Sequence, residues 1–251
     1  MFSKESIEYL VNQGIKPQER YVSLVDSLGE ERYFIVNNEG NPVEVKAKIN
    51  TARDTLQLKS LTGLVEYIKS NLDRSDVSLF LHVEDERTVS LQSTLLPDGT
   101  RESLVSVHAI VPQFRYEHYY DVEEMIINFQ SKFRQTKDRD IVLQVVGNVK
   151  EENVRQTGDT GVAQAVTIKT GISNASDVVV PNPVTLAPYR TFLEVEQPES
   201  DFIFRMKEGP KGAIFEADGG AWRNQAISNI RDYLLEELAL EVQQGRVRII
   251  A

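Results

Sequence analysis

A chain of 251 residues fits one large domain or two small ones and buries on the order of 70% of its unfolded surface without needing staples. It contains no cysteine, which excludes a disulfide framework, cysteine-ligated zinc and any thiol nucleophile, and points to a reducing compartment. Its 38 acidic and 28 basic side chains leave a net charge of −10, a balance that disfavours generic attraction to nucleic-acid phosphates or anionic lipid.

Residues 1–20 show no basic region followed by an apolar stretch, so they do not read as a secretory signal. No run reaches the 18 or so apolar residues that a membrane span needs. The expected setting is the cytoplasm, with no membrane contact. Ser3 to Gln13 has the pattern of a short helix with apolar Ile7, Leu10 and Val11, and Gly14 and Pro17 prevent its continuation. Strands are expected at Tyr21 to Val25, Arg32 to Val36 and Pro42 to Val45, with Asn37 to Gly40 as the turn. Residues 1–50 form an N-terminal helix and strand segment in this reading, and residues 51–251 form the main domain.

Thr55 to Leu58 alternates as a strand and runs into a helix from about Ser60, whose Leu61, Leu64, Val65, Ile68 and Leu72 recur at helical spacing. Val77 to Val83, Arg87 to Leu96 and Glu102 to Val111 predict an antiparallel meander, the last two joined by Pro97-Asp98-Gly99-Thr100. Asp121 is the expected N-cap of a helix reaching about Thr136, with Met125, Phe129 and Phe133 on one stripe. Asp140 to Val149 reads as a strand, Glu151 to Gly161 as a hairpin end or mobile loop, and Val162 to Lys169 as a further strand.

Pro181, Pro183 and Pro188 each remove a backbone donor, so this segment should follow a sheet edge or cross between sheets. Strands are then expected at Arg190 to Val195, Asp201 to Met206, Gly212 to Ala217 and Arg246 to Ile250, with the longest helix from Trp222 to about Val242. Because strands come in runs and do not alternate strictly with helices, the fold class is α+β, a mainly antiparallel sheet with three or four helices packed on it.

The order of these elements resembles the YfdQ-like family of phage and prophage proteins, whose function is not established. The resemblance lies in the strand and helix from Thr55 to Lys69, the central helix and strand ending Leu143-Gln-Val-Val-Gly-Asn148, and the Val180-Pro181 to Leu186-Ala-Pro188 crossing. Phe202-Ile-Phe-Arg205, a turn, another strand and the terminal helix complete it, so that it spans roughly residues 51–245 and leaves residues 1–50 outside. What the resemblance implies is context: a gene product made inside a bacterium from an infecting phage or a prophage.

No catalytic, cofactor or metal residue is assigned. There is no GxSxG, P-loop or GxGxxG pattern. His82, His108 and His118 form no HxH or HxxxH pair, although His82 and His108 fall in neighbouring predicted strands and could face one another beside Glu84 or Asp85. Asp218 with Gly219 and Gly220 reads as the cap and tight turn before the last helix. The aromatic run containing Phe114, Tyr116, Tyr119 and Tyr120 is either a loop packed on the sheet or a contact surface, and a protein partner suits it better than nucleic acid. Lys132, Arg134, Lys137 and Arg139 are accounted for by a helix C-terminus. Trp222, Leu235 and Leu240 make the terminal helix apolar over more than one face, which with the aromatic run suggests a homo-oligomer contact.

The leading functional expectation is an accessory protein that acts by binding, as a homo-oligomer and against a host or defence component. A metal-dependent nuclease or hydrolase on dispersed carboxylates, and an acidic mimic of DNA, are the alternatives.

Overall fold

A computed structural model describes residues 21–25, 31–37, 41–45, 51–71, 73, 78–96, 99–148, 165–170, 174–207, 209 and 211–251. The expected helix at Ser3 to Gln13 and the stretch from Glu151 to Gly161 lie outside the described residues. The chain divides into two compact units, Met1–Thr51 and Ala52–Ala251. In the first, β1 (Tyr21–Val25), β2 (Glu31–Val36) and β3 (Pro42–Glu44) form an antiparallel sheet in that order, with Ile35 opposite Val43. Leu24, Val25, Ile35 and Val43 are exposed on it.

The second unit is α+β and holds two hydrophobic cores. A five-stranded sheet carries the first. It contains β4 (Leu56–Leu58), β5 (Leu79–Val83), β6 (Thr88–Ser93), β7 (Ser103–His108) and β13 (Val247–Ile250), in the order β13-β5-β6-β7-β4. The β5-β6-β7 meander is antiparallel as expected, whereas β13 joins β5 and β4 joins β7 in parallel. Helix α1 (Leu61–Ser70) packs Leu61, Leu64, Val65 and Ile68 into this core. Its start is capped by Ser60, whose Oγ accepts from the Gly63 amide at 3.2 Å. A Cβ at Gly63 would come within 3.1 Å of that same oxygen, so the glycine leaves room for the cap.

The second core is built on β10 (Val184–Leu186), β11 (Ser200–Lys207) and β12 (Lys211–Glu216), in sequence order and antiparallel. β10 is an edge strand, which suits a segment depleted of amide donors. Helix α2 (Val122–Lys132) is capped by Asp121, whose Oδ1 accepts from Glu124 N at 2.8 Å. It ends sooner than the pattern suggests. Phe133 turns extended and bridges Pro188, while Tyr189 N donates to Lys132 O at 2.9 Å. A hairpin of β8 (Ala165–Thr170) and β9 (Asn174–Val179) precedes β10.

Three further expectations need correction. The strand expected at Asp140 to Val149 is helix α3 (Lys137–Asn148). The run from Ile141 to Val146 is rich in β-branched residues, but Val142, Val145 and Val146 fall on one helical face and are buried in the second core. Thr136 supplies the cap, its Oγ1 accepting from Arg139 N at 3.1 Å, and Asp138 and Asp140 occupy the first turn.

Arg190 to Val195 is not a strand, because the Gln197 side chain takes its backbone groups. Gln197 Oε1 accepts from Arg190 N at 2.9 Å and Thr191 N at 3.2 Å, and Nε2 donates to Phe192 O at 2.8 Å. The terminal helix is α4 (Trp222–Glu237) followed, after a break at Leu238, by the short α5 (Ala239–Gln243). Among the described residues no helix is long and apolar enough to cross a membrane.

Candidate anion-binding pocket

The segment from Leu186 to Gln197 joins the two cores: Leu186 lies in the second, Phe192 and Val195 in the first. Arg190, between them, is 3% exposed. Its Nη1 donates to Glu216 Oε1 at 3.2 Å, and its Nη2 to Pro198 O at 3.4 Å and to Ser200 Oγ. The guanidinium covers the Trp222 ring at 3.9 Å and stands 5.7 Å from that of Phe202. Its Nε is buried and meets no acceptor among the described residues. A buried charge of this kind is tolerable only because it is paired and three of its hydrogen bonds are made to Glu216, Pro198 and Ser200.

Beside it opens a pocket of about 260 Å³. Arg87 from the β5–β6 turn, Arg115 from the loop before α2, Lys132 from the last turn of α2 and Arg190 line it, with no carboxylate among the lining residues. Phe114, Tyr116 and Tyr189 supply its rings. In a chain of net charge −10 this is a local inversion of sign. Glu86 lies outside the lining and is shared, 3.8 Å from Arg87 Nε and 3.9 Å from Arg223 Nε.

The walls are held in place. Arg87 Nε donates to Arg190 O at 3.1 Å, and Lys132 Nζ to Gln113 O at 2.6 Å. Arg115 N donates to the Tyr120 hydroxyl at 3.1 Å, and Tyr120 exchanges backbone hydrogen bonds with Gly212, both 2.9 Å. Tyr116 stacks on Phe202 at 5.6 Å, and Phe114 sits edge-on to Tyr116 and Phe133, each at 5.1 Å. Burial pushes the Tyr116 hydroxyl up to about 12, with Arg190 pulling it back in part, so it remains a protonated donor at neutral pH.

A second cavity, about 320 Å³, opens beside Trp222 and is lined by Glu199, Asp201 and Asp218. Burial raises the Asp218 carboxyl, but the amides of Gly220 and Trp222, the Ser200 hydroxyl and the Arg190 charge outweigh it and hold it below the ordinary carboxylate range. Asp218 therefore closes the turn before α4 and accepts from the Trp222 amide, although Ala221 occupies the N-cap position itself. Among the described residues no group of three or more His, Asp or Glu side chains could hold a metal ion. His82 and His108 lie on β5 and β7 with β6 between them. His108 Nε2 instead meets Ser106 Oγ at 3.0 Å, and His82 lies against Phe80 at 6.0 Å.

The aromatic run is split by its packing. Phe114, Tyr116 and Tyr120 pack on the second core, while Tyr119 lies under Lys207 Nζ at 4.0 Å. Trp222 is buried beneath Arg190 and presents no surface to a partner. Leu235 and Leu240 are exposed on α4 and α5, Leu240 by 67%, and do not join the aromatic residues. Sequence reasoning reached Phe114 and Tyr116 but missed Arg87, Lys132 and Arg190 as their neighbours. These cations come from three separate elements, and no local pattern in the sequence joins them. No family model matches the chain, and neither a curated protein nor a solved structure matches it.

Proposed function

We propose that the protein acts by binding, and that it holds a small anion in the pocket formed by Arg87, Arg115, Lys132 and Arg190. The observation that carries this is a half-enclosed cavity with four cationic residues and no carboxylate in its lining. Guanidinium forks match the oxygens of phosphate or carboxylate two at a time. Isothermal titration with inorganic phosphate at low ionic strength should give a Kd of about 1 mM or tighter. Arg87→Ala with Arg115→Ala should weaken it at least about tenfold while shifting stability by under about 1 kcal/mol, since both side chains are largely exposed. Absence of saturable binding in the unsubstituted protein would remove the reading.

A second reading, self-association, is favoured by the terminal stretch. Leu235, Leu240 and Ile250 are exposed, and β13 is an edge strand whose outer side pairs with no other strand among the described residues. We expect a dimer or larger species by light scattering after size exclusion at micromolar concentration. Leu240→Glu should weaken it roughly a hundredfold, because an unpaired charge at a buried contact costs about 3 kcal/mol or more. A monomer in the unsubstituted protein would reject this. The wider setting we propose is a phage or prophage accessory protein in the bacterial cytoplasm, acting on a host or defence component. Its support is the resemblance over residues 51–245 read from the sequence, less the strand ending at Asn148, which is helix α3, and unchanged plating of a phage deleted for the gene would count against it.

A further inference from the structure

We infer that the ligand of the cationic pocket is a nucleoside monophosphate, a reading that rests on the anion-binding proposal above and names its ligand class. The phosphate end is set by unused donors. Arg87 commits its Nε to Arg190 O, and among the described residues its two terminal amino groups have no hydrogen-bond acceptor. Lys132 commits one proton to Gln113 O. The Arg115 guanidinium has neither a hydrogen bond nor an ion pair among the described residues, although its residue is fixed through the backbone bond to Tyr120. Two planar forks and an ammonium group suit a terminal phosphoryl group, whose oxygens accept from several directions.

The ring end is set by Tyr189. Tyr189 is half-buried and lines both this pocket and a neighbouring cavity beside Arg134 and Glu196, and its ring enters no ring pair or hydrogen bond among the described residues. Phe114 and Tyr116, in contrast, are already engaged by rings of the second core, Phe114 edge-on to Phe133 and Tyr116 stacked on Phe202. Tyr189 is therefore the ring available to stack on a base, and Gln113, which lines the same pocket, has both donors and an acceptor for a base edge. A base stacked on such a ring gains roughly ten- to hundredfold in affinity.

Size and charge narrow the class. The volume of about 260 Å³ lies just under the roughly 300 Å³ at which sites for drug-sized ligands begin, which limits the occupant to a single nucleotide unit. The net charge of −10 opposes the continuing phosphates of a strand, which favours a single phosphoryl group over a polymer.

The test is isothermal titration of the full chain with the four ribonucleoside monophosphates, the four nucleosides, inorganic phosphate and a short single strand. At least one monophosphate should bind about tenfold or more tighter than both phosphate and its own nucleoside. Tyr189→Leu should reduce that monophosphate to the affinity of phosphate and leave phosphate itself unchanged. Tyr189→Phe should preserve the advantage, and Arg115→Ala should weaken phosphate and monophosphate alike. Monophosphates no tighter than phosphate would overturn the nucleotide assignment and leave anion binding standing. If neither bound, both readings would fall. A strand tighter than every monophosphate would also overturn the assignment, by showing that the ligand is a polymer.

Discussion

Arg190→Ala should lower stability by about 3 kcal/mol, and with it the melting temperature by roughly 6–12 °C for a unit of this size. The substitution removes a guanidinium that is 3% exposed and donates to Glu216, Pro198 O and Ser200. Breaking a fully buried ion pair costs about 3–5 kcal/mol. Glu216 retains 33% exposure of its side chain, so water partly replaces the lost partner and the lower end applies. Loss of the stack on Trp222 at 3.9 Å and the space left beneath it act in the same direction. Arg190→Met, which keeps an apolar stem over the ring, should cost less than alanine, and adding Glu216→Gln to it should recover part of the remainder. Trp222 is the sole tryptophan, so its emission reports directly on this contact and should shift to the red in Arg190→Ala. A loss below about 1 kcal/mol in thermal or urea unfolding would mean that the residue is not what joins the two cores.

The elements legible in the sequence were those whose local chemistry and tertiary role agree. Asp121, the expected cap, lies before an amphipathic stripe and caps α2, and the helix expected from about Ser60 begins at Leu61. The meander from β5 to β7 follows from alternation and short connections. The misreadings arose where two signals conflicted. Val142, Val145 and Val146 carry strand propensity at helical spacing, and Thr136, Asp138 and Asp140 decided for the helix.

Residues 190–195 look like a strand, but a buried side chain, Gln197, satisfies their backbone groups, and nothing local to that segment announces it. The pocket was hidden for a related reason. Its rings are contiguous in the chain and stood out, whereas its cations are brought together only when α2 ends at Lys132 and the crossing segment places Arg190 beside Arg87. Lys132 had an adequate local explanation as a residue complementing a helix terminus, and that explanation concealed its second role.

Phe129→Ala is expected to be the most damaging single truncation in the second core, at about 4 kcal/mol. The ring is fully buried, stacks on Phe133 at 4.6 Å and meets Phe114 edge-on at 6.4 Å. Its removal leaves a cavity that α2 cannot collapse into without disturbing its own end, because Phe133 is tied through its backbone to Pro188 and Tyr189 to Lys132. Phe114 and Tyr189 line the pocket, so the same truncation should weaken anion binding even at temperatures where the protein stays folded. Phe129→Leu, retaining most of the volume, should cost about 1–2 kcal/mol and leave binding nearly intact. The shape of the transition carries further information. The Leu186 to Gln197 segment contributes to both cores, so Ala52–Ala251 should still unfold in one step, with calorimetric and van't Hoff enthalpies equal. A lower-temperature step in Phe129→Ala that abolishes anion binding while the first core persists would show instead that the two cores melt separately, and that Arg190 joins them only weakly.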